Sequence, residues 1–347
     1  MSGQASAPVS SPAPDARVSA AMQAFRRGAP HEGVPLMQAA AKDGHPLAQL
    51  AVAEWLATGS RLPRDPAKAL ELARHAAQSG LPPAMQLYAC LLRWENPEAD
   101  AEGVQDAIAQ DANDWTRRAA EQGEPAAQAE VRLWPHLAAP LPEAEILSGA
   151  PLNDAPAVKV FPGFLPPALC QHVLRMARPQ VRPAAVFDPA SGETRPHPVR
   201  RAHNMNFGPT LYDSIIAWVN QRIAAASGTT AAQGEPLAVL AYGPGGEYRP
   251  HSDCLPPSAA RPEDRLAESG QRIRTLLIAL NTGYTGGETA FPALSLTWRG
   301  QPGDALLFTN TTEDGTPAPE ARHAGQPVLQ GEKWLASRWI RERAFSA

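Results

Sequence analysis

The chain changes its hydrophobic period once, and that order restricts the folds open to it. Up to about residue 226, apolar residues recur at helical spacing. In residues 211–226, for example, Leu211, Ile215, Trp218, Val219 and Ile223 form one stripe. From Leu237 onward the apolar residues fall in short runs at 237–242, 273–280, 294–298, 305–309 and 333–341. Gly243-Pro244-Gly245-Gly246, Gly286-Gly287, Pro302-Gly303 and Gln330-Gly331 punctuate them. Short runs between such turn residues read as strands. Helices first and strands after predict a two-domain α+β protein, with helices packed on a double-sheet jelly roll in its second part.

The first part also repeats itself. Gly44, Gly80 and Gly123 lie 36 and 43 residues apart; each ends an alanine-rich stretch and is followed four residues later by Ala48, Ala84 or Ala127. A period in this range marks a helical solenoid. Glycine ends one helix in a left-handed turn, and the small alanine lets the next helix approach. Asp65-Pro66 reads as an N-cap with proline at the first helical position. The pattern resembles Sel-one-like, tetratricopeptide-like repeats over residues 30–135, with a plain alanine-rich bundle as the alternative. Residues 1–29 read as a disordered leader, 136–157 as a proline-rich linker, and 158–347 as the second domain, with a helix expected at 169–177.

Composition excludes several classes. The net charge of −4 shows no basic stripe for nucleic acid, and no apolar run is long enough for a membrane helix. The N-terminus lacks the basic and apolar regions of a signal peptide. Three dispersed cysteines, Cys90, Cys170 and Cys254, make no disulfide framework and fit a reducing cytoplasm.

The chemistry is concentrated near the C-terminus. His251-Ser252-Asp253 puts two metal-binding side chains two residues apart, on one face of a strand. His323, the only later histidine, can complete a 2-His-1-carboxylate triad, which holds non-heme Fe(II) and leaves positions open. Taken alone, His323 reads equally well as a surface histidine. Residues 322–325 and 333–341 are expected to form neighbouring antiparallel strands, with Lys333, Leu335, Ser337 and Trp339 on one face. If that face is interior, Lys333 is a buried cation needing a partner, and a ligand carboxylate supplies one. The alternative is a lysine snorkelling at a strand start. Residues 188–206, with Arg195, Arg200 and Arg201, and residues 255–270 are candidate lids or solvated surface.

The stretch from about 158 to 343 resembles the 2-oxoglutarate- and Fe(II)-dependent dioxygenases, and most of all the prolyl 4-hydroxylase catalytic-subunit family. The resemblance is carried by Tyr242-Gly243-Pro244-Gly245, His251-Ser252-Asp253, Gln271-Arg272-Ile273-Arg274-Thr275 and Gly286-Gly287-Glu288-Thr289. It continues in Gly303-Asp304-Ala305-Leu306, His323 through Val328, Gly331-Glu332-Lys333-Trp334 and Trp339-Ile340-Arg341. It implies a double-stranded β-helix with flanking helices, iron ligands His251, Asp253 and His323, and Lys333 on the far carboxylate of 2-oxoglutarate. Tyr242 and Thr275 would help hold that cosubstrate, and Trp339, Tyr248 and Arg200 are candidate substrate contacts. The cofactors implied are Fe(II), 2-oxoglutarate and O₂, with ascorbate as reductant. The reaction implied is procollagen-proline 4-dioxygenase-like hydroxylation of a prolyl residue in a peptide or protein. Another side chain, a free amino acid or a small metabolite is the alternative substrate, and a non-catalytic interaction protein built on the repeats is a further one. Cys254, where many members carry an aromatic residue, reads as a small core residue.

Overall fold

A computed structural model describes residues 15–97, 104–137, 149–188, 193–196, 199–255 and 266–345. The chain divides into two compact units, Met1–Trp134 with Gly208–Ala217, and Pro135–Phe207 with Trp218–Ala347.

The first unit contains α1 (Ala16–Arg26), α2 (Pro30–Lys42), α3 (Pro46–Thr58), α4 (Pro66–Gln78), α5 (Pro82–Glu95), α6 (Val104–Glu121) and α7 (Pro125–Val131), each packed on the next. Four joints share one chemistry: Gly28, Gly44, Gly80 and Gly123 all have φ between +73° and +90°. A Cβ at Gly44 or Gly123 would touch nothing within 4 Å, so the left-handed backbone requires glycine there, not lack of space. The next N–H returns to an alanine carbonyl one turn back, as in Ala29 to Ala24, His45 to Ala40 and Glu124 to Ala119. A proline two residues after each glycine opens the following helix, where its missing N–H costs nothing. Alanines dominate the core, including Ala40, Ala53, Ala73, Ala76, Ala84 and Ala119.

The same chemistry corrects the expected leader. Ala16–Arg26 is a helix, capped by the Asp15 carboxylate on the Arg17 N–H, and it buries Ala21 and Ala24. The alanine content that suggested disorder is what lets this helix pack; residues 1–14 lie outside the described residues. Gly208–Ala217, expected in the second domain, groups with the first unit. There Tyr212 meets Trp94 edge-on at 5.2 Å, and the Ser214 N–H donates to Glu130 at 3.0 Å.

The second unit is built on two antiparallel sheets. The larger runs β1 (Ala150–Asp154), β2 (Ala157–Phe161), β14 (Ala305–Thr309), β10 (Arg272–Ala279), β17 (Lys333–Arg341), β8 (Ala238–Tyr242), β7 (His203–Asn206), β3 (Arg182–Pro183). The smaller runs β13 (Leu296–Trp298), β12 (Thr289–Phe291), β15 (His323–Gly325), β9 (Glu247–His251), β6 (Arg200–Arg201). Two short antiparallel pairs, β4 (Ala185–Asp188) with β5 (Glu193–Pro196) and β11 (Thr285–Gly286) with β16 (Val328–Gln330), complete the strands. One apolar core draws on both sheets: Val158, Leu277, Leu306, Phe308 and Leu335 from the larger, Phe291 and Trp298 from the smaller. Helices Pro167–Ala177 and Ser214–Ser227 stand where helical spacing predicts them, within a turn.

Three expectations change. The linker over 136–157 is not wholly a linker, because Ala150–Asp154 is an edge strand. Pro151 is accommodated there because an edge N–H needs no partner; residues 138–148 lie outside the described residues. The strands at 322–325 and 333–341 are not neighbours: β15 pairs with β9 and β12, β17 with β8 and β10. The chain between them turns aside into β16, which pairs with β11, and so passes from one sheet to the other. The described part of residues 188–206 is largely strand, with Arg200–Arg201 joining the smaller sheet and His203–Asn206 the larger; residues 189–192 and 197–198, and residues 256–265 of the other expected lid, lie outside the described residues. Among the described residues no helix is long and apolar enough to cross a membrane.

Candidate active site

The two histidines come from adjacent strands. Pairing of β9 with β15 sets His251 opposite His323, with ring centroids 4.3 Å apart. Asp253 lies just beyond the end of β9, in a bend and not on the strand itself, and still reaches the same point. One ligand atom from each of the three residues lies within 4.8 Å of the others.

The hydrogen bonds assign the imidazole protons. His251 Nδ1 lies 2.8 Å from the Arg249 carbonyl and His323 Nδ1 lies 3.1 Å from the Ala321 carbonyl. A carbonyl can only accept, so each Nδ1 carries a proton, which in the neutral ring leaves the lone pair on Nε2. Those Nε2 atoms stand 3.6 Å and 3.7 Å from the two oxygens of Asp253. Lone pairs converging on a carboxylate repel unless a cation lies among them. The donor set therefore fits a divalent metal of the iron type.

The surroundings keep each group in its ligating form. Burial among Phe291 and Phe308 pushes His323 down to about 4, overriding the pull of Asp253, so the ring is neutral at ordinary pH. Burial alone would raise Asp253, but the two histidines and the Thr275 hydroxyl hold it well below the usual carboxylate range. Tyr248 stacks on His251 with rings 3.4 Å apart, and the Arg200 guanidinium lies 5.3 Å from the Tyr248 ring.

The larger sheet supplies the other end of the same pocket. Register places Lys333 opposite Tyr242, and Leu335 opposite Leu240. Lys333, Leu335, Ser337 and Trp339 all line the pocket that holds the triad, as strand alternation predicts. Lys333 is 4% exposed, and its Nζ donates to the Gly287 carbonyl at 2.7 Å. Among the described residues no carboxylate forms a close ion pair with it, and burial lowers it to about 8 against the weaker pull of Glu288. A Cβ at Gly287 would lie 3.3 Å from the lysine chain, so this glycine makes room for it. Tyr242 is buried beneath the ammonium, 5.5 Å from ring centre to Nζ, and burial raises its phenol.

The Thr275 hydroxyl, expected beside the cosubstrate, donates to Asp253 at 2.7 Å. Thr289, quoted in the sequence as part of a motif but given no role, lines the pocket. Sequence reasoning also missed Asn310, whose amide donates to Thr275 at 2.9 Å. Asn310 had no sequence signal, since its contact depends on strand register. Cys254 behaves as a small core residue: it is buried, its thiol faces the Asn310 carbonyl, and burial raises it to about 11.

Comparison with known proteins gives a consistent result. Residues 237–341 match the 2OG-Fe(II) oxygenase superfamily. Probable prolyl 4-hydroxylase 6 of Arabidopsis thaliana is 33% identical over 217 residues, covering 56% of this chain and 72% of that protein. Prolyl 4-hydroxylase 1 of the same plant is 33% identical over 207 residues, covering 55% and 71%. A solved structure of a viral collagen prolyl hydroxylase from Paramecium Bursaria Chlorella virus-1 is 24% identical, with a TM-score of 0.42 over 53% of this chain and 95% of its own.

Proposed function

The chain belongs to the prolyl 4-hydroxylase family of 2-oxoglutarate- and Fe(II)-dependent oxygenases, and on that premise we propose that His251, Asp253 and His323 hold its iron while Lys333 holds its cosubstrate. As a member it uses Fe(II), 2-oxoglutarate and O₂. The observation that carries the assignment is the convergence of two Nε2 atoms on one buried carboxylate, with each Nδ1 turned to a backbone carbonyl. The bound metal and cosubstrate supply the oxidising chemistry, coupled to decarboxylation of 2-oxoglutarate to succinate.

The chain's own residues orient and exclude. The backbone carbonyls of Arg249 and Ala321 fix the tautomer and tilt of the two imidazoles. Lys333, protonated below about pH 8, meets the far carboxylate of 2-oxoglutarate, and Tyr242 and Thr289 border it. Tyr248 and Trp339 line the same pocket, the Arg200 guanidinium lies over the Tyr248 ring, and the three are assigned to the substrate. Phe291, Phe308 and Leu335 keep water from the inner wall.

The relatives are named prolyl 4-hydroxylases, and the substrate read from them is a prolyl residue in a peptide or protein. Ascorbate is the assigned reductant. The helices of the first unit, with their recurring glycine joints, are read as Sel-one-like solenoid repeats that recruit a protein substrate. Three free, buried cysteines accord with a reducing cytoplasm. The test is incubation of the full chain with Fe(II), 2-oxoglutarate, ascorbate and proline-rich peptides. Succinate release that rises with peptide, together with one added oxygen on proline by mass spectrometry, is expected. Succinate without any modified proline would redirect the reading to another side chain or a small metabolite.

A further inference from the structure

Asn310 lies just past the end of β14, and β14 pairs with β10 so that Phe308 stands opposite Thr275. Its side-chain amide reaches Thr275 Oγ1 at 2.9 Å, and Thr275 Oγ1 reaches Asp253 Oδ2 at 2.7 Å. All three residues are buried, with Thr275 at 0% and Asn310 at 1% exposure.

Proton counting fixes the direction of this chain. A threonine hydroxyl has one proton and two lone pairs, an amide nitrogen only donates, and an ionised carboxylate only accepts. With the Asn310 NH₂ facing Thr275, one lone pair of the hydroxyl is occupied and its single proton goes to Asp253. Turning the amide over would place two acceptors on either side of one proton. Thr275 would then serve Asn310 and present a lone pair to a buried carboxylate. The backbone at 310 is held as well: its N–H donates to the Ile273 carbonyl, and its carbonyl accepts from the Ala318 N–H and the Cys254 thiol.

Resting on the metal assignment above, we infer that Asn310 is a positioning residue for the iron site: it dictates the orientation of the Thr275 hydroxyl, which in turn fixes the rotation of the Asp253 carboxylate. No contact of Asn310 with metal or substrate is required. Partners behind metal ligands typically control affinity by about 10–100-fold.

The test is Mn(II) binding by the full chain without turnover, read from the electron paramagnetic resonance of the free ion. Thr275→Val is expected to weaken binding about 10–100-fold and Asn310→Ala by about tenfold. Thr275→Ser, which keeps the hydroxyl, should restore near wild-type affinity. Because Asn310 acts through Thr275, adding Asn310→Ala to Thr275→Val should cost nothing more, whereas independent roles would add. If Thr275→Val does not fold, the Thr275→Ser background serves, and there Asn310→Ala must still cost about tenfold. Wild-type affinity in Asn310→Ala, or full additivity in the double variant, overturns the relay. A wild-type chain that binds Mn(II) no better than His251→Ala would instead remove the metal assignment on which the relay rests.

Discussion

The two units solve packing by opposite means. In the helical unit, alanines such as Ala73 and Ala76, both fully buried, let helix backbones come close, and glycines in left-handed turns set each reversal. In the sheet unit, large side chains such as Leu306, Phe308 and Phe291 fill the space between two sheets, and polar groups are carried inside that packing. Among the described residues of the first, no group of His, Cys, Asp or Glu converges as a metal site would need. The second has a pocket because strands from both sheets contribute to one wall: His251 and His323 from the smaller, Lys333 and Tyr242 from the larger. A site of this kind needs the opposed sheets, which successive close-packed helices do not supply.

Substitutions break that contrast in graded ways. The largest effect belongs to the triad: His251→Ala or Asp253→Ala should reduce succinate production to background while the circular dichroism spectrum is retained. Lys333→Ala comes next. Loss of one partner from a buried pair costs about 3–5 kcal/mol, or roughly two to three and a half orders of magnitude in 2-oxoglutarate affinity. This lysine also confers a pH dependence. Its folded value lies near 8, lowered by burial, and only the charged form binds a carboxylate. Affinity for 2-oxoglutarate should therefore be level below pH 8 and fall above it, by at most about tenfold per pH unit. A calorimetric titration from pH 6.5 to 9.5 reads this, and Lys333→Ala should lose that slope.

Stability responds in opposite directions in the two units. In the sheet core Leu306→Ala leaves a cavity and should cost about 2–5 kcal/mol. In the helical core the damaging change is the reverse one, Ala73→Leu, at about 1–3 kcal/mol from overpacking. Urea unfolding of both variants separates the two mechanisms. The smallest effect is expected at the turns: Gly44→Ala meets no steric obstacle, so only the strained backbone at φ +88° counts, about 1 kcal/mol.

What could be read in advance follows the range of the interaction. The glycine joints, the strand at 333–341 and the alternation that sends Lys333 and Trp339 to one face are local, and the structure has them as the spacing predicts. Pairing is not local. Nothing in the run from His323 to Lys333 reveals that the chain changes sheet between them, and nothing near Thr275 points to Asn310, 35 residues on. The same holds for Gly208–Ala217, whose partners Trp94 and Glu130 lie more than 80 residues earlier in chain order. Removing residues 1–140 strips Tyr212 and Ser214 of these partners, so loss of folding would report on that segment before it reported on recruitment. Helix Ala16–Arg26 was hidden for another reason: a short alanine-rich segment next to prolines has the composition of a disordered tail until its burial is known.

The metal assignment is tested most directly by crystals of the full chain grown with Mn(II) and 2-oxoglutarate, using the anomalous signal of the ion. One ion is predicted, bonded to His251 Nε2, His323 Nε2 and the Asp253 carboxylate, with the far carboxylate of 2-oxoglutarate against Lys333 Nζ. An ion held by other residues, or a cosubstrate whose far carboxylate lies away from Lys333, would contradict the account.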